Sequence, residues 1–467
     1  MEKRFSLLVC IAVLWLSGCA SAPPAPTAAA DAPAQWNAVL PHDGSVTDLA
    51  HWWLRLGDPV LVQLLDAAQD VSPTLASARS RIKQSRATRT QARAALLPAL
   101  DGNVSAVRGL TQPQIPVATS IAANLQASWE IDLFGANRLT ADAAQARFEG
   151  AQAQWHDARV SVAAETAKLY FEQRACETQW GIAQSDAASR AQTARLSALS
   201  MQAGFTPPAT AALARASAAE ARNRATQRRA LCDIDIKALV ALTALDERDL
   251  RRKLAAAPQD LASNASIAIS SVPAQVLNQR PDLLAAQRDV AAASAELGST
   301  QAQRYPSLGL SGSVGLQHFR ASGSSDDFTT WSIGPLTLSV PLFDGDRRAA
   351  KVQAAQARYD EAAFLYRSRV RQAVSEVEQA LVNLQSTAAR DADAAQAYEG
   401  YRASLAATEA RYKAGLASLV ELEEARRSAL ASSDALVGLQ LERIEAWVAL
   451  YRAAGGGFAP AQLADIR

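Results

Sequence analysis

The most regular pattern of hydrophobic and polar positions lies between residues 123 and 133. Apolar side chains occupy every second position there, and the set consists of Ala123, Leu125, Ala127, Trp129, Ile131 and Leu133. A period of two is typical of a β-strand with one apolar face. A second alternation follows Pro306, and a third changes phase at Gly334-Pro335, where we expect a bulge or bend. The pattern predicts two strands in each half of the chain.

The strands are followed by two long helical patterns that contain no proline. One extends from Gly135 to about Ala203 and the other from Gly345 to about Ala414. A helix of roughly 68 residues would be about 100 Å long, more than a compact domain can cover. Each must therefore pack sideways on other helices, as in a coiled coil. Because helical patterns return after both breaks, each half contains one long helical hairpin.

The chain is a tandem repeat with an offset of about 208 residues. Pro73 aligns with Pro281, and Leu133-Phe134 aligns with Leu342-Phe343, so the halves share one architecture. A helix should begin at each of the two aligned prolines, because proline suits the first helical turn. The predicted organisation is a first repeat at 51–245, a linker at 246–272, a second repeat at 273–455 and a C-terminal tail at 456–467.

The N-terminus has the features of an export signal at residues 1–18. Charged Glu2-Lys3-Arg4 precedes an apolar stretch from Phe5 to Leu16. That stretch is too short to span a bilayer of about 30 Å as a helix, so we expect it to be cleaved.

The end of this signal indicates a lipid anchor. Leu16-Ser17-Gly18-Cys19 resembles the lipobox of bacterial lipoproteins, which implies cleavage before Cys19 and acylation of that residue. By the same resemblance, an Asp in the next position would imply retention in the inner membrane. The residue there is Ala20, which favours sorting to the outer membrane. Residues 19–50 are rich in Ala and Pro and are expected to form a lipidated tether. The alternative is an ordinary signal peptide with an incidental cysteine.

Charge and motif content argue against several other classes of function. The net charge is +1, and no run of Lys and Arg is dense enough to follow a phosphate backbone, so we expect no nucleic-acid partner. The histidines lack metal-ligand spacing, and there is no Gly-x-Ser-x-Gly or Walker loop. Gly455-Gly456-Gly457 follows a helix and indicates a C-terminal breaker rather than a phosphate loop. We therefore expect no enzyme activity, no metal and no cofactor.

The four strands point to an assembly of several copies. Segments of about ten alternating residues have the length of outer-membrane barrel strands. Four strands cannot close a barrel, and an open edge in lipid would cost several kcal/mol for each unpaired backbone group. Known barrels begin at about eight strands, so a dimer is the minimum and a trimer would supply about twelve.

Several segments in this order resemble the outer-membrane factor family of TolC-like exit ducts, in its lipidated OprM/NodT-like branch. They are His51-Trp52-Trp53 with Asp58-Pro59, residues 128–135, Arg280-Pro281-Asp282-Leu283, Pro341-Leu342-Phe343-Asp344-Gly345, Arg411-Tyr412-Lys413-Ala414-Gly415 and residues 451–456. Each segment is modest alone, but together they cover nearly the whole mature chain.

The resemblance implies a mainly α-helical fold with a membrane β-barrel portion. Three copies would share a 12-stranded outer-membrane barrel, and their long hairpins would form a periplasmic α-barrel. Such a homotrimer passively conducts drugs or other small toxic solutes from an inner-membrane transporter, of RND type, through a periplasmic adaptor. The alternatives are an exit duct for secreted polypeptides, as in type I secretion, and a coiled-coil scaffold lipoprotein without a pore. A scaffold has no use for the paired strands.

The resemblance also implies roles at the hairpin ends. Glu421 and Glu424 match acidic positions that ring the closed periplasmic entrance of the family, although the acidic position of the first hairpin falls near Thr210. The alternative is a solvated helix face on which Glu423 pairs with Arg427. The adaptor-docking tips would include Gly204, Thr206, Gly415, Leu416 and Ser418, and the alternative there is a glycine turn required by any hairpin.

Two cysteines remain once the signal and the lipid anchor are set aside. Cys176 lies 28 residues before Gly204, and Cys232 lies 28 residues after it. In an antiparallel hairpin this places them at nearly equal height, and the periplasm is oxidising. We expect a disulfide between them, and the alternative is two buried free thiols.

Overall fold

A computed structural model describes residues 25–30, 32–40, 52–110, 117–256, 273–321 and 323–459 of the 467-residue chain. The signal at residues 1–18 and Cys19 lie outside the described residues, as do most of the linker and the end of the C-terminal tail. The expectations for these segments therefore remain predictions.

The described residues form ten helices and four strands. The helices are α1 Trp52–Arg55, α2 Pro59–Val71, α3 Pro73–Ala94, α4 Ala136–Gln202, α5 Pro208–Thr243, α6 Glu247–Ala256, α7 Pro273–Leu277, α8 Pro281–Ala302, α9 Arg347–Lys413 and α10 Leu419–Ala453. The strands are β1 Ala99–Gly109, β2 Ala118–Ile131, β3 Ser307–Ala321 and β4 Ser324–Ser339. Helices α4 and α9 have 67 residues each, which confirms the two long proline-free helices. None of the described helices is both long and apolar enough to cross a lipid bilayer.

The helix boundaries follow from proline, glycine and capping residues. As predicted, α3 and α8 begin at Pro73 and Pro281. Helices α4 and α9 end just before Gly204 and Gly415, whose φ angles of 82° and 73° favour glycine. Each long helix is therefore followed by a turn and by the second arm of its hairpin.

The strands form one antiparallel sheet in the order β1-β2-β3-β4. In the β3/β4 ladder, Leu310 faces Leu336 and Gly312 faces Ile333. One residue of β3 thus faces two of β4, Gly334-Pro335, and the predicted bulge is confirmed. Because Leu310 and Gly312 lie on the same side of β3, Ile333 and Leu336 also share one side. The bulge therefore explains the change of phase in the sequence.

The chain divides into two compact units. The first contains residues 79–153 and 284–369, which include the whole sheet and the parts of the helices next to it. The second contains residues 31–78, 154–283 and 370–467 and holds the main hydrophobic core.

The core of the second unit is built around two tryptophans of α1. Trp52 and Trp53 are almost fully buried, and their rings lie 5.4 and 4.7 Å from the ring of Tyr451. After α10, Gly455 has a φ of 84°, and a Cβ there would overlap the carbonyl group of Gln279. Both conformation and space therefore require glycine at this position.

Part of the predicted tether packs against this second unit. Trp36 belongs to its core. The backbone N–H groups of Asn37 and Ala38 donate to the carboxylate of Glu378 at 2.6 and 2.8 Å. This stretch of the N-terminal segment is therefore bound to α9 rather than extended into solvent.

Candidate functional site

The sheet carries a set of exposed apolar side chains. Ile333 and Trp331 are 86% and 74% exposed. Other exposed members are Leu100, Val104, Leu125, Val314, Leu316, Leu336 and Leu338. Leaving such a surface in water costs roughly 25 cal/mol for each Å². An apolar strand face of this kind suits contact with lipid.

The sheet also has two open edges. Within the described residues, β1 pairs only with β2, and β4 pairs only with β3. The outer sides of β1 and β4 therefore present backbone N–H and C=O groups to a further strand. An apolar face and open edges together suit one part of a larger sheet.

The first hairpin end joins α4 to α5 at residues 203–207. Gly204 has positive φ, and the hydroxyls of Thr206 and Ser200 lie 2.6 Å apart. Phe205 is 85% exposed. The turn is thus held by local contacts and presents an apolar ring at its surface.

The second hairpin end joins α9 to α10 at residues 414–418. Gly415 again has positive φ, and Leu416 is 69% exposed. Ser418 is the N-cap of α10: its hydroxyl accepts the backbone N–H of Glu421 at 3.1 Å, and its own N–H donates to the Glu421 carboxylate at 2.6 Å. Glycine turns occur at both ends, and each has an exposed apolar residue beside it.

The two acidic positions implied by the family resemblance lie on the surface of α10. Glu421 is held by the capping contact with Ser418 and lies 3.8 Å from Arg411. The backbone N–H of Ser418, donating to it, lowers the pKa of Glu421, which is therefore ionised at neutral pH. Glu424 is exposed one turn further along the helix.

The suggested surface pair between Glu423 and Arg427 is wrong. Glu423 is 7% exposed, and its carboxylate accepts hydrogen bonds from Arg190, from Ser217 at 2.5 Å and from Arg426 at 3.0 Å. Arg427 is exposed. The physical reason is helix phase, because Glu423 continues the buried side of α10 occupied by Leu419 and Leu422.

Arg190 and Arg426 complete a buried polar cluster with Glu423. Arg190 also pairs with Asp186 at 2.9 Å, and Arg426 donates to Thr193 at 3.0 Å. The cluster joins α4 and α5 of the first hairpin to α10 of the second. The cluster was not predicted from the sequence, although a signal exists. Arg190 lies on the same helical face as three buried alanines, Ala183, Ala187 and Ala194.

Cys176 of α4 and Cys232 of α5 are joined by a disulfide with an S–S distance of 2.08 Å. Their Cα atoms are 5.5 Å apart, and the side chains are 7% and 0% exposed. The structure thus contains the bonded arrangement of the two that the sequence allowed. The bond ties the arms of the first hairpin together.

Comparison with solved structures defines the class of protein. The chain matches the crystal structure of the CmeC outer membrane channel from Campylobacter jejuni with a TM-score of 0.84 at 24% identity, over 95% of this chain and 96% of that chain. The open state of the MtrE outer membrane channel from Neisseria gonorrhoeae gives 0.77 at 25% identity, over 95% and 99%. The predicted TolC-like fold is confirmed.

Sequence comparison identifies the family. Residues 64–245 and 272–456 match the family described as outer membrane efflux protein. The pyoverdine export outer membrane protein OpmQ from Pseudomonas putida is 29% identical over 469 residues, which cover 96% of this chain and 97% of OpmQ. This chain belongs to the outer membrane efflux protein family. It is an efflux channel of the outer membrane, as its sequence resemblance to the outer-membrane factors predicted.

Proposed function

We propose that three copies of this chain form one duct that carries small toxic solutes passively across the outer membrane. The four-stranded sheet, with its two open edges and exposed apolar side chains, carries this proposal. Three sheets would supply about twelve strands, enough for a closed barrel in which every edge pairs with a sister copy. The duct performs no catalysis, since its partner pump supplies the energy.

The partners of this duct are a periplasmic adaptor and an inner-membrane transporter of RND type. The adaptor docks at the hairpin ends, on Gly204 and Thr206 of the first and on Gly415, Leu416 and Ser418 of the second. Exposed Phe205 and Leu416 support this assignment, because an apolar side chain beside a rigid turn suits a protein contact.

Glu421 and Glu424 form the periplasmic gate. Three-fold symmetry would bring six carboxylates together beside the second hairpin ends, and both residues are exposed there. A ring of like charge attracts cations and destabilises a closed arrangement. The buried Arg190–Glu423–Arg426 cluster lies on the other side of α10 and holds the two hairpins of each copy together.

Cys19 attaches the mature chain to the outer membrane through acyl chains. The first described residues support this path, because the Tyr359 hydroxyl of α9 donates to the carbonyl of Ala25 at 3.1 Å. Five residues lie between Ala25 and Cys19, and the six steps along the chain can span about 20 Å. Lipid chains contribute roughly 0.8 kcal/mol for each buried methylene.

Single-channel recording in planar bilayers tests both the duct and its gate. The variant Glu421→Gln with Glu424→Gln should reduce the preference for cations over anions, measured as a smaller reversal potential in a salt gradient. A matched control is Asp391→Asn with Asp393→Asn, which removes two exposed carboxylates of α9. An equal shift in both variants would contradict the gate. Absence of current from reconstituted trimers, with the carboxylates intact or neutralised, would contradict the duct.

A further inference from the structure

The open edges of the sheet decide which helices meet where two copies join. In a closed trimer the outer edge of β1 pairs with the outer edge of β4 from a sister copy. Helix α3 leads into β1, and α9 follows β4. The junction therefore brings α3 of one copy beside α9 of the next. This inference rests on the proposed trimer and goes on to name the residues that meet.

Inside the first unit, the helices follow the same order as the strands. Consecutive helices are joined by polar contacts, namely Arg93–Gln145 at 3.1 Å between α3 and α4, Arg147–Glu296 at 2.5 Å between α4 and α8, and Arg348 of α9 to the carbonyl of Gln303 at 3.1 Å beyond the end of α8. Helices α3 and α9 are therefore the two ends of the row, as β1 and β4 are the two ends of the sheet.

The tandem repeat supplies a template for the junction. Helices α3 and α8 have 22 residues each and begin at Pro73 and Pro281, 208 positions apart. Helices α4 and α9 have 67 residues each and begin at Ala136 and Arg347, 211 positions apart. The contact between α4 and α8 within one chain therefore corresponds to a contact between α9 and the α3 of the next copy.

Within a single chain, the residues of α8 at this contact are buried, whereas the equivalent residues of α3 are exposed. On α8, Ala292 and Ser299 are 2% and 4% exposed, and the Ser299 hydroxyl lies 2.9 Å from that of Thr140 on α4. Their counterparts on α3, Gln84 and Gln91, are exposed. The side of α8 that α4 covers therefore corresponds to an exposed side of α3. In the trimer, α9 of a second copy would pack against that side.

The same contrast holds on the opposing helix. Gly150 of α4 is buried, and Ala143 is 3% exposed. Their counterparts on α9, Glu361 and Ala354, are exposed. Both sides of the predicted junction are therefore open surfaces whose equivalents within the chain are packed.

The centre of the template contact identifies the residues that face each other. A Cβ built on Gly150 would lie 3.4 Å from the Cβ of Arg288 and 3.9 Å from the carboxylate of Asp289. At the junction these positions correspond to Glu361 on α9 and to Ser80 and Arg81 on α3. Glu361 thus stands where the template has Gly150, and the small side chain of Ser80 stands where it has Arg288. Ser80 leaves room for the Glu361 carboxylate, and Arg81 replaces Asp289 with a cation.

We propose that Glu361 of each copy forms an ion pair with Arg81 of the next, and that this pair directs the chain to assemble with its own copies. Helix α3 carries six cations and no carboxylate, so it favours an acidic partner. Asp360 adds a second carboxylate beside Glu361. Arg358 lines a cavity with Glu296 and Thr300 of α8 in its own chain. Asp360 and Glu361 are the two carboxylates in the part of α9 that belongs to the first unit, which otherwise carries cations. They are therefore the place where the basic face of α3 can find opposite charge in a head-to-tail ring.

Cysteine cross-linking tests this junction. The variant Glu361→Cys with Ser80→Cys should place two Cβ atoms near the roughly 3.8 Å that a disulfide needs. Mild oxidation in detergent should join all three copies into a covalent trimer that runs as monomer after reduction. The matched control is Gly150→Cys with Arg288→Cys, the corresponding positions of α4 and α8. Its bond should form inside one chain and leave the mass on a denaturing gel at that of a monomer.

The outcomes separate this inference from the proposed function. A trimer by native mass spectrometry that yields only monomer after oxidation of the Glu361→Cys/Ser80→Cys variant would overturn the junction and leave the duct intact. A monomeric wild-type protein would overturn both. Covalent trimers from the Gly150→Cys/Arg288→Cys control would overturn the assignment of the two contacts.

A charge exchange gives a second test that requires no new bond. Arg81→Glu places two carboxylates opposite each other. The dissociation constant of the trimer should rise by roughly threefold to tenfold per junction. Adding Glu361→Arg to the same chain should restore the wild-type value, because the pair is re-formed with opposite polarity. Failure of the second change to restore assembly would overturn the ion pair.

Discussion

At the scale of single residues, the chain is distinguished by charged side chains that are buried. Arg190, Glu423 and Arg426 are 8%, 7% and 5% exposed, on helix faces that also bury alanine and leucine side chains. A buried charge is tolerated only when it is paired and hydrogen-bonded. The cluster satisfies this condition through ion pairs within α4 and within α10 and through hydrogen bonds that join three helices.

Glu423→Ala should be strongly destabilising. Two guanidinium groups would lose their shared carboxylate while still buried, at a cost of about 3–5 kcal/mol. The exposed neighbour gives a matched control, and Glu424→Ala should change stability by less than about 0.5 kcal/mol. Thermal unfolding followed by circular dichroism in detergent would measure both. Equal melting shifts for the two variants would contradict the role of the cluster.

His156 should make the protein less stable in mild acid. Its ring is 5% exposed and packs 4.7 Å from the ring of Phe458. Burial, together with the nearby charge of Arg159, lowers the pKa of His156 from 6.5 to about 4. The unfolded chain therefore binds the proton more tightly than the folded chain does. The contribution of His156 leaves the free energy of unfolding at its full value above about pH 6.5 and lowers it as the pH approaches 4, by up to roughly 3 kcal/mol.

The variant His156→Gln checks this dependence. Between pH 6.5 and 4 the wild type should lose more stability than the variant, as measured by denaturant unfolding at a series of pH values. His318→Gln, which alters an exposed histidine, serves as the control and should keep the wild-type slope. A slope unchanged by His156→Gln would show that other groups cause the acid sensitivity.

At the scale of elements, the long hairpin is the unit that needs support. A helix of 67 residues exposes more surface than its own hydrogen bonds can stabilise, so its arms must be held by packing and cross-links. The disulfide provides one such tie in the first hairpin, where Cys176 and Cys232 are 56 positions apart. The second hairpin has no cysteine and relies on side-chain packing.

Removing the disulfide should destabilise the first hairpin. Closing a loop of this length stabilises the folded chain by about 4 kcal/mol through the entropy of the unfolded state. Cys176→Ala with Cys232→Ala should therefore lower the urea midpoint, and a reducing agent should lower the midpoint of the wild type but not that of the variant. A wild-type midpoint that is unchanged after both thiols become free would contradict this expectation.

The elements that the sequence predicts well are those specified locally. The starts at Pro73 and Pro281 and the turns at Gly204 and Gly415 depend on backbone preferences of the residues themselves. The bulge at Gly334-Pro335 was visible because a register slip moves apolar side chains to the other face.

The buried cluster was not predicted because its environment is tertiary. Glu423 is covered by Arg190 of α4 and Ser217 of α5, which lie more than 200 positions away in the chain. Spacing along α10 alone allows either Arg426 or Arg427 as a partner. Only the packing of the two hairpins selects Arg426, and that packing joins segments from both repeats.

At the scale of the molecule, the sheet is incomplete in a single chain. Its apolar side chains are exposed, and its two outer edges have no strand beside them in the described residues. Unpaired backbone groups in lipid cost several kcal/mol each, so a single copy would be unstable in a membrane. In the proposed trimer, sister copies would satisfy both edges at once, and the same kind of helix contact would occur inside each chain and between chains.

The number of copies in the purified assembly is the most direct test of this picture. Native mass spectrometry of the protein extracted in mild detergent should give a complex of three chains, with no monomer at concentrations where the complex is stable. A monomer, together with ready protease cleavage of β1 and β4 in intact membranes, would contradict the shared barrel.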